Sequence, residues 1–85
     1  MVTLMTRGFE AASKDNEELS AWMLDAAHRI RDNNPDFIVA EPDGKKERLE
    51  DDGRTLILPV SKEQPRCYAT FNETGGVTFM LAEEY

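Results

Sequence analysis

One amphipathic segment, DNEELSAWMLDAAHRIRDNNPD (residues 15–36), constrains the fold more than any other part of the chain. Its apolar residues follow the i, i+3, i+4, i+7 spacing of a helix with one buried face; they are Leu19, Trp22, Met23, Ala26 and Ile30. Asp15 is the predicted N-cap, and Glu18 follows three residues later, as in an acidic capping box. Pro35 disfavours the α region for the residue before it, so the helix must stop there. The sequence therefore predicts one helix over about residues 16–33.

The remaining sequence is typical of β-structure, because short runs of β-branched and aromatic residues alternate with turn residues. The predicted strands are VTLMT (2–6), DFIVAE (36–41), RTLILPV (54–60), RCYATF (66–71) and GVTFML (76–81). The last two flank NETGG, which predicts a hairpin. Cys67, Ala69 and Phe71 would share one face of this hairpin. Pro59 cannot donate to a ladder, so we expect its strand at a sheet edge or at a bulge.

The segment EPDGKKERLEDDGR (41–54) is almost entirely charged, and its sequence suggests two turns around a short strand. EPDGK and EDDGR each combine residues that favour tight turns. KKERLE (45–50) lies between them and would form an exposed polar strand, giving a meander from Phe37 to Val60. The alternative is one long loop, which is uncommon in a compact domain.

These elements predict a single α+β domain over residues 1–85, in the order β-α-β-β-β-β. The helix would pack across one face of a mostly antiparallel sheet of four to five strands. A chain of 85 residues buries only a small core. We therefore expect no enclosed cofactor.

The charge balance limits the function classes. Seventeen acids and 10 bases give a net charge of −7, which argues against direct binding to nucleic acid and to anionic membranes. Cys67 is the single cysteine, so neither an internal disulfide nor a thiolate zinc site is expected. The sequence contains no apolar run of membrane-span length and no signal-type N-terminus. We expect a cytoplasmic protein.

No set of residues predicts catalysis or metal binding. His28 lies off the apolar helix stripe and is expected to be solvated, because a catalytic base needs a pocket and an orienting partner. Cys67 alternates with apolar residues, which indicates a buried thiol. Residues 32–43 break the pattern of a calcium loop where it requires glycine and a bidentate glutamate. We predict no catalytic, cofactor or metal residues.

Two surfaces are candidates for binding another protein. The first is the outer helix face around Leu24, made up of Ala21, Leu24, His28 and Arg31. The second is the charged segment, through Lys45, Lys46 and Arg48. The C-terminal AEEY is expected to be a frayed tail.

The leading hypothesis is a small acidic, non-enzymatic interaction module, such as an inhibitor, an adaptor or an accessory protein of a phage or mobile element. Its partner would be a protein, and a basic surface on that protein would suit the acidic charge. One alternative is an acidic DNA mimic that blocks a nucleic-acid-binding enzyme. A second is a small enzyme or accessory subunit that uses His28, Cys67 or Tyr68. Homodimerisation through the strand with Pro59, or the strand that leads to Tyr85, also stays open.

Overall fold

A computed structural model describes residues 3–33, 35–50, 52–71 and 75–85. Within them the chain is α+β, with two α-helices on a mixed six-stranded sheet. The elements are β1 (Thr3–Met5), α1 (Arg7–Ser13), α2 (Glu17–Asn33), β2 (Phe37–Pro42), β3 (Arg48–Glu50), β4 (Thr55–Val60), β5 (Cys67–Phe71), β6 (Val77–Leu81) and a 3-10 turn (Ala82–Glu84). No helix in the described part of the chain is long and apolar enough to cross a membrane.

The sheet has the order β1-β6-β5-β2-β4-β3. The pairs β1–β6 and β2–β4 are parallel, and the other three pairs are antiparallel. The predicted α+β class is confirmed, but the prediction of one helix on four or five mostly antiparallel strands is wrong in detail. The expected meander is also wrong, because β4 lies between β2 and β3. Three consecutive residues of β4 are buried, so this strand belongs inside the sheet, whereas charged β3 takes the edge.

The predicted helix is confirmed as α2, and the buried residues on it are Leu19, Trp22, Ala26 and Ile30. Its N-cap was predicted wrongly. The Oδ1 atom of Asn16, not Asp15, accepts a hydrogen bond from the Leu19 backbone N–H at 3.1 Å. Asp15 instead has a φ of 56°. It provides the left-handed turn that joins the two helices, a conformation that aspartate tolerates better than most residues.

Helix α1 was not predicted, because seven residues including a glycine are too few to show a periodic pattern. Thr6 caps it by accepting a hydrogen bond from the Phe9 N–H at 3.2 Å. Phe9 is fully buried, and its ring centroid lies 6.0 Å from that of Trp22 and 5.5 Å from that of Phe79. This three-ring cluster fastens α1 and α2 to β6. Val2, in the predicted first strand, lies outside the described residues.

Both helices cover the same face of the sheet. The strand residues of the main core lie on this covered face, as expected for the β5–β6 hairpin; they are Ile38, Ala40, Leu56, Leu58, Val60, Cys67, Ala69, Val77 and Phe79. Residues 72–74 of the predicted hairpin loop lie outside the described residues. The prediction that the strand with Pro59 lies at a sheet edge is confirmed only in part. β3 pairs only with residues 55–57 of β4, so the described residues leave the last half of β4 open along that side.

Candidate interaction surfaces

The sheet face opposite the helices is a candidate surface, and we call it the open face. Strand register places one row of side chains across five strands of it: Met80, Tyr68, Val39, Ile57 and Arg48. A second row consists of Leu4, Thr78, Thr70, Phe37, Thr55 and Glu50. Val39 and Ile57 are buried although they lie outside the main core. Neighbouring side chains on the open face therefore shield them.

Three aromatic rings form a cluster on the open face. The centroids of Phe37 and Tyr68 are 4.8 Å apart. Tyr85 packs edge-on against both rings at 5.6 Å, although 77% of its surface is exposed. Such rings bury large areas at low entropic cost when a partner covers them. Sequence reasoning missed this cluster, because Tyr85 is brought to the other two rings only by the fold of the C-terminus.

The C-terminus is not a frayed tail, which corrects that expectation. The Glu84 carboxylate accepts hydrogen bonds from the Thr6 hydroxyl, from Leu81 N–H at 3.1 Å and from Gly8 N–H at 3.3 Å. The Thr6 hydrogen bond is the main cause that lowers the pKa of Glu84. The carboxylate thus fixes the chain end beside the start of α1 and holds Tyr85 over the open face.

Arg48 has a structural task on this surface. Its guanidinium donates to Glu41 at 2.8 Å and to Glu50 at 3.0 Å. Glu41 lies on β2, so the Arg48 side chain spans β4 and passes over its register partner Ile57. Arg66 approaches the other oxygen of Glu41 at 3.5 Å. Arg48 is therefore occupied by carboxylates of its own chain, and its predicted role in partner binding stays a prediction.

The other predicted docking residues are all at the surface. Ala21, Leu24, His28 and Arg31 are exposed along the outer side of α2, and 61% of the Leu24 surface is accessible. Lys45 and Lys46 are exposed in the loop before β3, so only the second half of the predicted polar strand is a strand. These residues remain predicted contact sites, in two surfaces separate from the open face.

The groups proposed for an enzyme site do not meet. Cys67 is buried under the helices, and burial raises the pKa of its thiol to about 11. Tyr68 follows it on β5 and points to the open face, whereas His28 is exposed on the outer side of α2. Among the described residues no three histidine, cysteine or acidic side chains converge as a metal site. Cys67 and Tyr68 therefore lie on opposite faces of the sheet, and His28 lies on the outer side of the helix layer.

The acidic clusters that a DNA mimic would use are also separated. Glu84 contacts Thr6 beside the β1 edge, and Glu50 lies on β3 at the opposite edge. Glu18 accepts hydrogen bonds from Ser61 and Gln64 at 2.8 to 3.1 Å. Glu50 also accepts a hydrogen bond from Arg48 at 3.0 Å. All three clusters therefore use a carboxylate internally, which disfavours a continuous row of phosphate-like charges.

The free sheet edges differ from those considered in the sequence. β4, with Pro59, and β6, which leads to Tyr85, each have neighbours on both sides, so neither is an edge along its whole length. The edges are β1 and β3, because these strands have one neighbour each. β1 exposes Leu4 and Met5, and β3 exposes charged residues around Leu49.

Comparison of the chain with family models, with curated proteins and with solved structures finds no match.

Proposed function

We propose that this chain is a small non-enzymatic protein-interaction module that docks a partner protein through the open face. One observation carries the proposal: the half-buried Met80 and three aromatic rings, one of them the exposed Tyr85, lie on a sheet face that no described helix covers. Partly exposed aromatic and apolar side chains grouped on one face are typical of interaction sites. The domain would act as an inhibitor or adaptor by occupying a surface of its partner.

Charge defines the second property of the partner. The net charge of −7 would attract a protein with a basic rim and accelerate its approach. Glu41 and Glu50 on the open face are balanced by Arg48 and Arg66, so the contact itself would be mainly apolar. We place this role in the cytoplasm, which a domain with a single unpaired cysteine supports.

Site-specific photo-crosslinking tests the proposal. A benzophenone amino acid is introduced at Thr70, on the open face, and in a matched protein at His28, on the outer side of α2. Each protein is irradiated in a lysate of the cells that express the chain, and the products are identified by mass spectrometry. We expect a discrete heterologous protein product from position 70 and none from position 28.

Substitutions then connect the product to the surface. Met80→Glu places a charge in the apolar row and should abolish the crosslink, whereas Leu24→Asp and the pair Lys45→Glu and Lys46→Glu should preserve it. Circular dichroism checks that each variant is folded. A product that forms only from position 28, or that survives Met80→Glu, would overturn the assignment to the open face. A crosslinked product between two copies of the chain would indicate that the open face forms a homodimer instead of binding a different protein.

A further inference from the structure

A groove on the helix side of the molecule has a different chemistry from the open face. It lies between α2 and the last half of β4, with a volume of about 310 Å³. Helix α2 contributes Glu18, Ala21, Trp22 and Asp25, β4 contributes Leu58, Pro59 and Val60, and Glu47 lies in the wall beside them. The groove exists because β3 pairs with β4 only as far as Ile57.

The groove carries an excess of negative charge. Asp25 and Glu47 share the guanidinium of Arg29, with contacts of 3.4 and 2.7 Å. Glu18 is held by hydrogen bonds from neutral groups. Three carboxylates against one guanidinium leave two negative charges. Hydrogen bonds lower the pKa of Glu18, through the Ser61 backbone, and of Glu47, through Arg29, so both carboxylates are ionised at neutral pH.

Trp22 supplies the aromatic part of the groove lining. Trp22 lines the groove and is only 4% exposed, and its indole Nε1–H has no acceptor in the described part of the chain. Buried indole donors are usually paired, because an unsatisfied donor is costly. The Nε1 atom is itself buried, so a ligand in the groove would meet the unbalanced carboxylates and the indole ring rather than this donor.

We propose that this groove binds an arginine or lysine side chain from a peptide segment of a partner protein. The carboxylates receive the cation, and its aliphatic stem lies against the apolar residues of the groove lining. An organic cation suits the site better than a metal ion, since no three of the described carboxylates converge closely enough to ligate a metal. This site does not depend on the proposed use of the open face.

The test uses the indole signal of Trp22, because Trp22 is the only tryptophan of the chain. The ¹⁵N-labelled protein is titrated at low salt with acetyl-Gly-Arg-Gly-amide and, in parallel, with the same peptide carrying neutral citrulline. We expect the arginine peptide to move the indole signal saturably, with a dissociation constant of about 1 mM. The citrulline peptide should move it little.

Variants with opposite expected effects make the test specific. Asp25→Asn should weaken binding about two- to fivefold, the range for one exposed charge pair. Arg29→Gln removes the competing guanidinium and should strengthen binding by a similar factor. Glu63→Gln removes an exposed acid outside the groove lining and should change nothing. The dispersion of the remaining amide signals confirms that each variant is folded.

Three results would overturn the proposal. The first is an indole signal that does not move at tens of millimolar arginine peptide. The second is a shift of the indole signal with the citrulline peptide as large as that with the arginine peptide, or a loss of affinity in Glu63→Gln as large as that in Asp25→Asn. The third is a saturable response to Mg²⁺ that the arginine peptide does not compete with, which would make the groove a metal site. None of these three results depends on whether a partner crosslinks to the open face.

Discussion

The two faces of the sheet differ in what covers them, although the same strands form both. On β5, Cys67 and Ala69 point to the covered face and are fully buried, whereas Tyr68 and Thr70 point to the open face and are half-buried. The covered face combines small residues such as Ala40 and Ala69 with large ones such as Phe79, and all three are fully buried. The open face uses amphipathic residues that tolerate water. Packing on the first face forms the main core, and the second is the surface that the proposed interaction would use.

The largest expected effect compares adjacent residues of β6. Phe79→Ala removes the central ring of the three-ring cluster, and we expect a loss of about 3–5 kcal/mol in the free energy of unfolding. Met80→Ala, on the opposite face, should cost about 1 kcal/mol, since the side chain is only half-buried. Urea denaturation measures both. Equal losses would mean that the open face contributes to stability as much as the covered face does.

The next prediction concerns the start of α2, which holds the helix over the covered face. Asn16→Ala removes the acceptor of the Leu19 N–H and should cost about 1 kcal/mol. The matched control is Asp15→Asn, which keeps a residue that tolerates the positive φ and should stay within about 0.5 kcal/mol. A larger loss at Asp15 than at Asn16 would restore Asp15 as the cap.

Two carboxylates tie the helix layer to the sheet and should make stability depend on pH. The pKa of Glu18 and that of Glu84 are lowered from the ordinary value of 4.5, chiefly by hydrogen bonds from Ser61 and Thr6. As the pH falls, these two carboxylates therefore bind protons at a higher pH in the unfolded chain than in the folded chain. The stability that they add above pH 4.5 is lost as the pH falls through their folded-state pKa values.

This pH effect should be smaller than the loss of the cap, because both carboxylates contact solvent. Urea midpoints measured from neutral pH downwards should fall more steeply below pH 4.5 for the original chain than for the double variant Glu18→Gln and Glu84→Gln. Parallel profiles would show that the two carboxylates do not hold the layers together.

Sequence periodicity predicted the covered face well and the open face poorly, for a physical reason. The spacing of Leu19, Trp22 and Ile30, and the alternation of Cys67 and Ala69, report burial against one contiguous core. The position of β4 between β2 and β3 depends on which strand tolerates burial on both sides. Local periodicity cannot show this, because it requires comparing segments that are distant in the sequence. The Arg48–Glu41 and Glu84–Thr6 contacts also join residues that local patterns cannot connect.

The candidate surfaces show the same division. The exposure of His28 and Lys45 was predicted, because His28 lies outside the periodic apolar stripe and Lys45 lies in a charged segment, whereas the exposure of Leu24 was left open. The groove was not predicted. Its residues Glu18, Glu47 and Pro59 come from three segments, and they meet only because β3 is shorter than β4.

The smallest expected effect concerns Tyr85 and tests whether its ring contributes to the stability of the fold. Tyr85→Ala removes a side chain that is 77% exposed, so the free energy of unfolding should change by no more than about 0.5 kcal/mol. Near-ultraviolet circular dichroism should still change, because Tyr85 contacts both Phe37 and Tyr68. A loss well above 1 kcal/mol would make Tyr85 a structural cover for these rings. In that case the aromatic cluster would be a closed part of the core, and a partner would have to displace the C-terminus before it could dock there.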